Sequence, residues 1–300
     1  ARSDSAGATF WRISGPLIIN GAQTTGALAS AAACPGVRVL CRVIECRRPE
    51  LAAKIVRYNN TQNSISPADL RANDPVQKRL QVDFQGLGVT YVHRRTAGRT
   101  ERSALSAEST GPCLAAFHGE LQAAGRQRRE IFESDSMYSR VFHEATSAEH
   151  IYMLHCLSLA IDNVKLSLQS KVSAQVATES EAKQHEVLRW SMAKWFVLYA
   201  IGKLREEILD RKVSDPRAWH CRAEGVTRDT GSTVAVWEST VLAVLPLLEN
   251  AIKEIGSTPY DVTRSSQLAD KVCDKVKSIL AALKTQFGAS FQSVRQATVV

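Results

Sequence analysis

The six residues Asn20-Gly21-Ala22-Gln23-Thr24-Thr25 follow an apolar run, Leu17 to Ile19, and lead straight into an alanine-rich stretch. A strand that leaves through Asn-Gly and enters a helix directly exposes the free N–H groups of that helix's first turn, a ready anion site. Gly21 lets the backbone approach a phosphate closely or take a positive φ, while Gln23, Thr24 and Thr25 add neutral hydrogen-bonding side chains. The same residues also suit a plain strand-to-helix corner capped by Thr24 or Thr25. Neither GxxxxGK[ST] nor GxGxxG occurs in the chain, so the two best-attested phosphate loops are absent.

A second constellation runs from Arg57 to Leu80. Four amides, Asn59, Asn60, Gln62 and Asn63, fall within five positions, a density that suits turn capping or recognition of a polar ligand. Arg57, Arg71, Lys78 and Arg79 surround them. His143 and His150 are seven residues apart in "HEATSAEH", which is not a zincin pattern, and Ser147 between them reads as the N-cap of a new helix, so no metal site is expected. His93, Arg94 and Arg95 form a basic strand exit. No Ser-His-Asp or Cys-His set can be assembled from spacing, and Glu45, Glu50 and Asp69 each have a simpler role at a strand or helix end.

The elements that must position these groups divide the chain in two. Residues 1–96 alternate short β-like and helical segments, the signature of a mixed α/β unit. Thr9–Ile13 and Leu17–Ile19 read as strand and Gln23–Ala33 as helix. "VRVLCRVIEC" alternates with period two and reads as a half-buried strand. Glu50–Tyr58 is helical. Ser66-Pro67 and Asp74-Pro75 open two helices, the second with Val76, Leu80 and Phe84 on one face and an end at Gly86–Gly88. "VTYVHRR" is the last strand. Residues 97–112 form a polar linker. From residue 113 to 300 the pattern is helix after helix: Leu114–Gln127, Ser136–Phe142, Ala148–Ser170, Ser180–Asp210, Ser232–Ile255 and Ser265–Phe287. Trp190, Trp195, Phe196 and Tyr199 share a broad face with leucines and valines, as core packing requires.

Composition agrees with a soluble chain: of 300 residues, 44% are hydrophobic and 23% charged. No run approaches the roughly 20 consecutive apolar residues of a membrane span, and no secretory signal opens the chain, so a cytoplasmic protein without membrane contact is expected. Seven cysteines, Cys34, Cys41, Cys46, Cys113, Cys156, Cys221 and Cys273, are scattered without a CxxC pair, which predicts reduced, packed thiols. A net charge of +8 permits binding to nucleic acid or another polyanion without requiring it.

"IINGAQTT", the block "NNTQNSIS..DL..ND..Q..L...F...G..Y..RR" and the later "LAAFHGELQAAGRQRREIFESDSMYSRVF" together resemble the AIPR family, abortive-infection phage-resistance proteins of bacteria. The resemblance covers roughly residues 11–142. Members usually carry an FW-type and an NNGIT-like block ahead of the Asn-Gly turn; only Phe10-Trp11 stands here, so a piece lacking the family's N-terminal region is expected. The turn is also similar, more distantly, to the Asp-Gly-Gln-His/Gln-Arg turn of ParB-like and DGQHR-type defence proteins. In that alignment Asn20 takes the Asp place and Thr24 the Arg place, so the charge-assisted phosphate contact and the carboxylate are both missing.

The resulting expectation is an α+β chain: an N-terminal ParB-like α/β domain followed by an all-α bundle, acting in antiphage defence. A nucleotide or nucleic-acid phosphate would sit on Asn20, Gly21, Gln23, Thr24 and Thr25 with Asn59, Asn60, Gln62 and Asn63, and Arg57, Arg94 and Arg95 would add positive potential. Catalytic residues are unassigned. An enzyme would be an NTPase or an NTP-dependent nuclease using a nucleotide with Mg. The rival is a non-catalytic interaction module docking a co-encoded defence protein, with homo-oligomers open to either reading.

Overall fold

Fourteen residues of one segment, Ala148–Ile161, explain the centre of the architecture, because nearly all of them are buried on every side. A helix apolar all round must be enclosed by others. The computed structural model describes residues 2–3, 9–10, 25–26, 28–29, 36, 38–45, 48, 51, 67–92, 104–222 and 230–300. It divides into two units, residues 1–66 and 67–300.

In the first unit β1 (Arg2–Ser3) pairs antiparallel with β2 (Thr9–Phe10), with Arg2 opposite Phe10. Residues 25–26 and 28–29 are helical, as expected for the segment behind the Asn-Gly turn. The period-two segment departs from expectation. Residues 38–45 have no regular structure, and Leu40 and Val43 are fully or largely exposed. Alternation specifies a strand only where a neighbour supplies the hydrogen-bond ladder, and no strand pairs with these residues among those described.

The second unit begins with α1 (Pro67–Leu70) and α2 (Pro75–Gly86). Asp74 caps α2 by accepting from Val76 N at 2.9 Å, and Leu80 and Phe84 are fully buried on the face the sequence marks. β3 (Tyr91–Val92) pairs in parallel with β4 (Leu105–Ser106). α3 (Ala107–Phe117) starts inside the stretch read as polar linker. Ser106 and Ser109 form a reciprocal capping box there, and Pro112, one turn in, costs a single hydrogen bond in a helix otherwise held by burial.

Short helices α4 (Leu121–Gly125), α5 (Glu130–Glu133) and α6 (Asp135–Val141) follow. α7 (Ala148–Ser173) is the central helix, capped by Ser147, whose Oγ accepts from His150 N at 3.1 Å. The expected single helix over 180–210 is three: α8 (Glu179–Leu188), α9 (Ala193–Lys203) and α10 (Arg205–Leu209). The reason is burial. α8 buries only Gln184, Val187 and Leu188, whereas α9 is buried on all sides from Trp195 to Gly202, and the turn at residues 189–192 redirects the chain from the surface helix into the core one. Phe196 and Tyr199 lie in the core, as their spacing predicts.

β5 (His220–Cys221) pairs antiparallel with β6 (Thr298–Val299), which latches the C-terminus to the middle of the chain. Between them run α11 (Thr230–Glu254), α12 (Pro259–Val262), α13 (Ser266–Ala282), α14 (Lys284–Phe287) and α15 (Gln292–Ala297). α11 packs along α7, and α13 covers α11 through a stripe of Ala269, Val272, Cys273, Val276 and Leu280. By length and composition α11 could cross a membrane, yet half of its most apolar stretch is buried within the unit. The chain is thus α+β with helix dominant.

Candidate functional site

Of the residues expected to bind a ligand, Thr25 is described, as an exposed helical residue. Asn20, Gly21, Gln23, Thr24, Arg57, Asn59, Asn60, Gln62, Asn63, Arg94 and Arg95 lie outside the described residues. Arg71 and Arg79, which flank the amide segment in sequence, are committed elsewhere. Arg71 donates to the Phe132 carbonyl at 2.8 Å, pairs with Asp135 and lies over the Tyr138 ring. Arg79 donates to the Thr146 carbonyl at 2.8 Å. Both are clamps between α1, α2 and the loops that follow them in space.

The helical unit has its own polar centre, at the facing ends of α3 and α7. His150, fully buried in the first turn of α7, bonds through Nδ1 to the Trp219 carbonyl. A carbonyl only accepts, so Nδ1 carries the proton and Nε2 keeps a lone pair. That lone pair faces His118 Nε2 at 3.0 Å, with the ring planes 13° apart. His118 must then donate from Nε2, which leaves its Nδ1 as a bare acceptor. This Nδ1 is buried and has no partner among the described residues.

Burial drives the electrostatics of the pair. It pulls the His150 pKa down to about 4. It also holds His118 well below the ordinary histidine range, with the neighbouring His150 and the Arg217 charge adding to the effect. Arg217 is fixed by Asp215 at 3.1 Å and by the Arg140 carbonyl at 3.2 Å, and Arg140 pairs with Glu120. His143, considered with His150 as a metal pair, instead accepts from Ala145 N at 3.0 Å and closes its own turn. Among the described residues no three metal-ligating side chains converge.

The Trp219 carbonyl, His150 and His118 form one line of hydrogen bonds, and both rings are neutral and enclosed. Its evident work is to join α3, α7 and β5. Trp219 continues the chain of bonds, donating from Nε1 to Thr298 Oγ1 at 2.8 Å. Sequence reasoning passed over His118 because nothing local marks it; its partner lies 32 residues away. Of the seven thiols, Cys113, Cys156, Cys221 and Cys273 are free and buried, with burial raising Cys156 and Cys273 to about 12, and Cys41 is free and exposed.

The chain matches the family described as AIPR protein over residues 2–267. It belongs to the AIPR family. Membership points to abortive infection, a form of antiphage defence. No curated protein and no solved structure matches the chain. The AIPR match takes in the Asn20–Thr25 turn, the amide segment and the histidine pair, and it ends inside α13.

Proposed function

We propose that this AIPR protein acts in antiphage defence by binding a nucleotide or a nucleic-acid phosphate at the Asn20–Thr25 turn. The observation that supports this is the single continuous family match, which spans the turn and the amide segment together. The helix behind the turn, present at residues 25–26 and 28–29, would turn its free N–H groups toward the anion. Asn59, Asn60, Gln62 and Asn63 would supply neutral hydrogen bonds, and Arg57, Arg94 and Arg95 the positive potential. With Asn20 and Thr24 in place of charged residues, binding is backbone-led. Any NTPase or NTP-dependent nuclease activity would need acidic groups from elsewhere, with Mg bound through the nucleotide. Finer ParB-like character in the first unit is part of the same proposal.

Calorimetry of the full chain with ATP and with a short DNA duplex tests it. Gly21→Val, which crowds the anion, should weaken binding at least tenfold, and Asn20→Ala should weaken it less. Unchanged affinity in both variants would sink the assignment. A salt-insensitive complex with a co-encoded protein and no nucleotide effect would favour the scaffold reading.

A further inference from the structure

The end of α10 and the chain's last turns enclose a cleft of about 410 Å³. That size falls among small-molecule sites, which span roughly 300–1,000 Å³. Its near wall is unusually well fixed. Glu206 Oε1 accepts from Val213 N at 3.0 Å, Arg205 Nε donates to the Val213 carbonyl at 2.8 Å, and Arg211 N bonds to the Glu206 carbonyl at 3.2 Å. Asp210 takes a left-handed φ of 55° to make the turn. Arg211 and Lys212 therefore ride on a held backbone, which lowers the entropic cost of binding.

The far wall supplies Leu280, Phe287, Phe291 and Arg295. Arg295 Nε donates to the Ile208 carbonyl at 2.7 Å, which turns the guanidinium toward the end of α10 and leaves its terminal nitrogens for a ligand. Among the described residues Arg211, Lys212 and Arg295 form no ion pair. Glu207, between them, has a buried Oε2 that receives no hydrogen bond from any described residue. The lining also carries Glu206, which is bonded to Val213 N, and Asp210, so the positive side of the cleft is the local group of Arg211, Lys212 and the terminal nitrogens of Arg295, which offers an anion its place. A buried bare carboxylate oxygen calls for a donor. Inorganic phosphate alone would satisfy the first and be repelled by the second. Half-buried Phe287 over buried Leu280 and Phe291 offers an apolar face between them.

We infer that this cleft binds a small phosphate monoester that also carries hydroxyl or amino donors and a flat apolar body, the chemistry of a nucleoside monophosphate. The phosphate sits with Arg211, Lys212 and Arg295, a donor group pairs with Glu207 Oε2, and the body lies against Phe287. The far wall falls beyond residue 267, where the family match ends, and no residue of the Asn20–Thr25 turn is among the described residues that line this site.

Calorimetry on the full chain with three probes, AMP, inorganic phosphate and adenosine, decides it. AMP should bind saturably and at least tenfold more tightly than either fragment. Arg211→Glu combined with Lys212→Glu, both exposed positions, should weaken AMP at least tenfold with the thermal unfolding midpoint unchanged. Glu207→Ala should weaken AMP about fivefold and leave phosphate unaffected. Gly21→Val should retain the AMP site. Failure of AMP to bind at millimolar concentration, equal binding of AMP and phosphate, or unchanged affinity in the double variant would each overturn the inference. Loss of AMP in Gly21→Val alone would place the nucleotide at the turn and overturn it too.

Discussion

His118 Nε2 and His150 Nε2 face each other across 3.0 Å, and the Trp219 carbonyl fixes which of the two holds the proton. One carbonyl thereby determines the tautomers of two side chains on different helices. The bond requires His150 to be neutral, since a proton on its Nε2 would place two N–H groups head to head.

Stability should therefore fall with acidity in a defined window. In the unfolded chain the histidines titrate near 6.5, whereas folded His150 titrates at about 4 and His118 is lowered as well. Between those values the unfolded state takes up protons that the folded state refuses, so the stability present above pH 6.5 is lost as pH falls toward 4. His150 alone accounts for roughly 3 kcal/mol. His155, lowered to about 4 by burial and by Lys194, acts in the same direction. Urea titrations from pH 8 to 4.5 should show the decline beginning near 6.5, and His150→Gln should make it shallower. A flat profile would contradict the buried neutral pair.

Gly202 should not tolerate even a methyl group. A Cβ there would lie 2.2 Å from the Phe117 carbonyl oxygen, a backbone atom that cannot swing aside. The glycine is what lets α9 approach the end of α3, next to His118. Gly202→Ala should cost about 3 kcal/mol despite its gain in helix propensity. Thermal unfolding of the two proteins checks this, and an equal or higher midpoint for the alanine variant would show that the helices can separate.

Local signals in the sequence were legible where the physics is local. Asp74-Pro75 and Ser147 announce their helices because a cap needs only the next three residues, and Val76, Leu80 and Phe84 mark a core face because one helix period sets it. The Ser106–Ser109 box was hidden by its polar composition, which reads as linker until the burial of Thr110 to Phe117 is known. Residues 38–45 show the reverse failure, since alternation alone cannot supply a strand with a neighbour. The centre at His118 was illegible because its partners, His150 and Trp219, come from distant positions that only packing unites. The turn at Asn20 was legible as chemistry, and its geometry lies outside the described residues.

Gln77 should prove the most sensitive polar position in α2. It is fully buried, accepts from Tyr91 OH at 2.7 Å and donates to Tyr138 OH at 3.1 Å. Tyr91 in turn stacks on Phe84 at 4.8 Å. Removing the amide takes one hydrogen-bond partner from each of two buried hydroxyls, which keep Thr110 and Asp74 as neighbours, so Gln77→Ala should cost about 2–3 kcal/mol, while Tyr138→Phe, which strands one amide hydrogen, should cost about 1–2. Chemical denaturation measures both. Additive losses in the Gln77→Ala, Tyr138→Phe double variant would show that the two are not coupled.

Salt dependence separates the two ligands left open at the Asn20–Thr25 turn. If Arg57, Arg94 and Arg95 neutralise nucleic-acid phosphates, each contact releases a counterion, and log K should fall against log salt by about 0.9 per contact on duplex DNA and about 0.7 on a single strand. Replacing all three by alanine should then flatten the slope by about 2–3, with a matching loss of affinity at low salt. A free nucleotide has too few phosphates for such a slope, so nucleotide binding should respond weakly to salt and to the triple substitution, and strongly to Gly21→Val. Fluorescence anisotropy with labelled DNA between 50 and 250 mM salt, run beside calorimetry with ATP, reads both quantities. An unchanged DNA slope in the triple variant would remove these arginines from the phosphate contact and confine the turn to small anions.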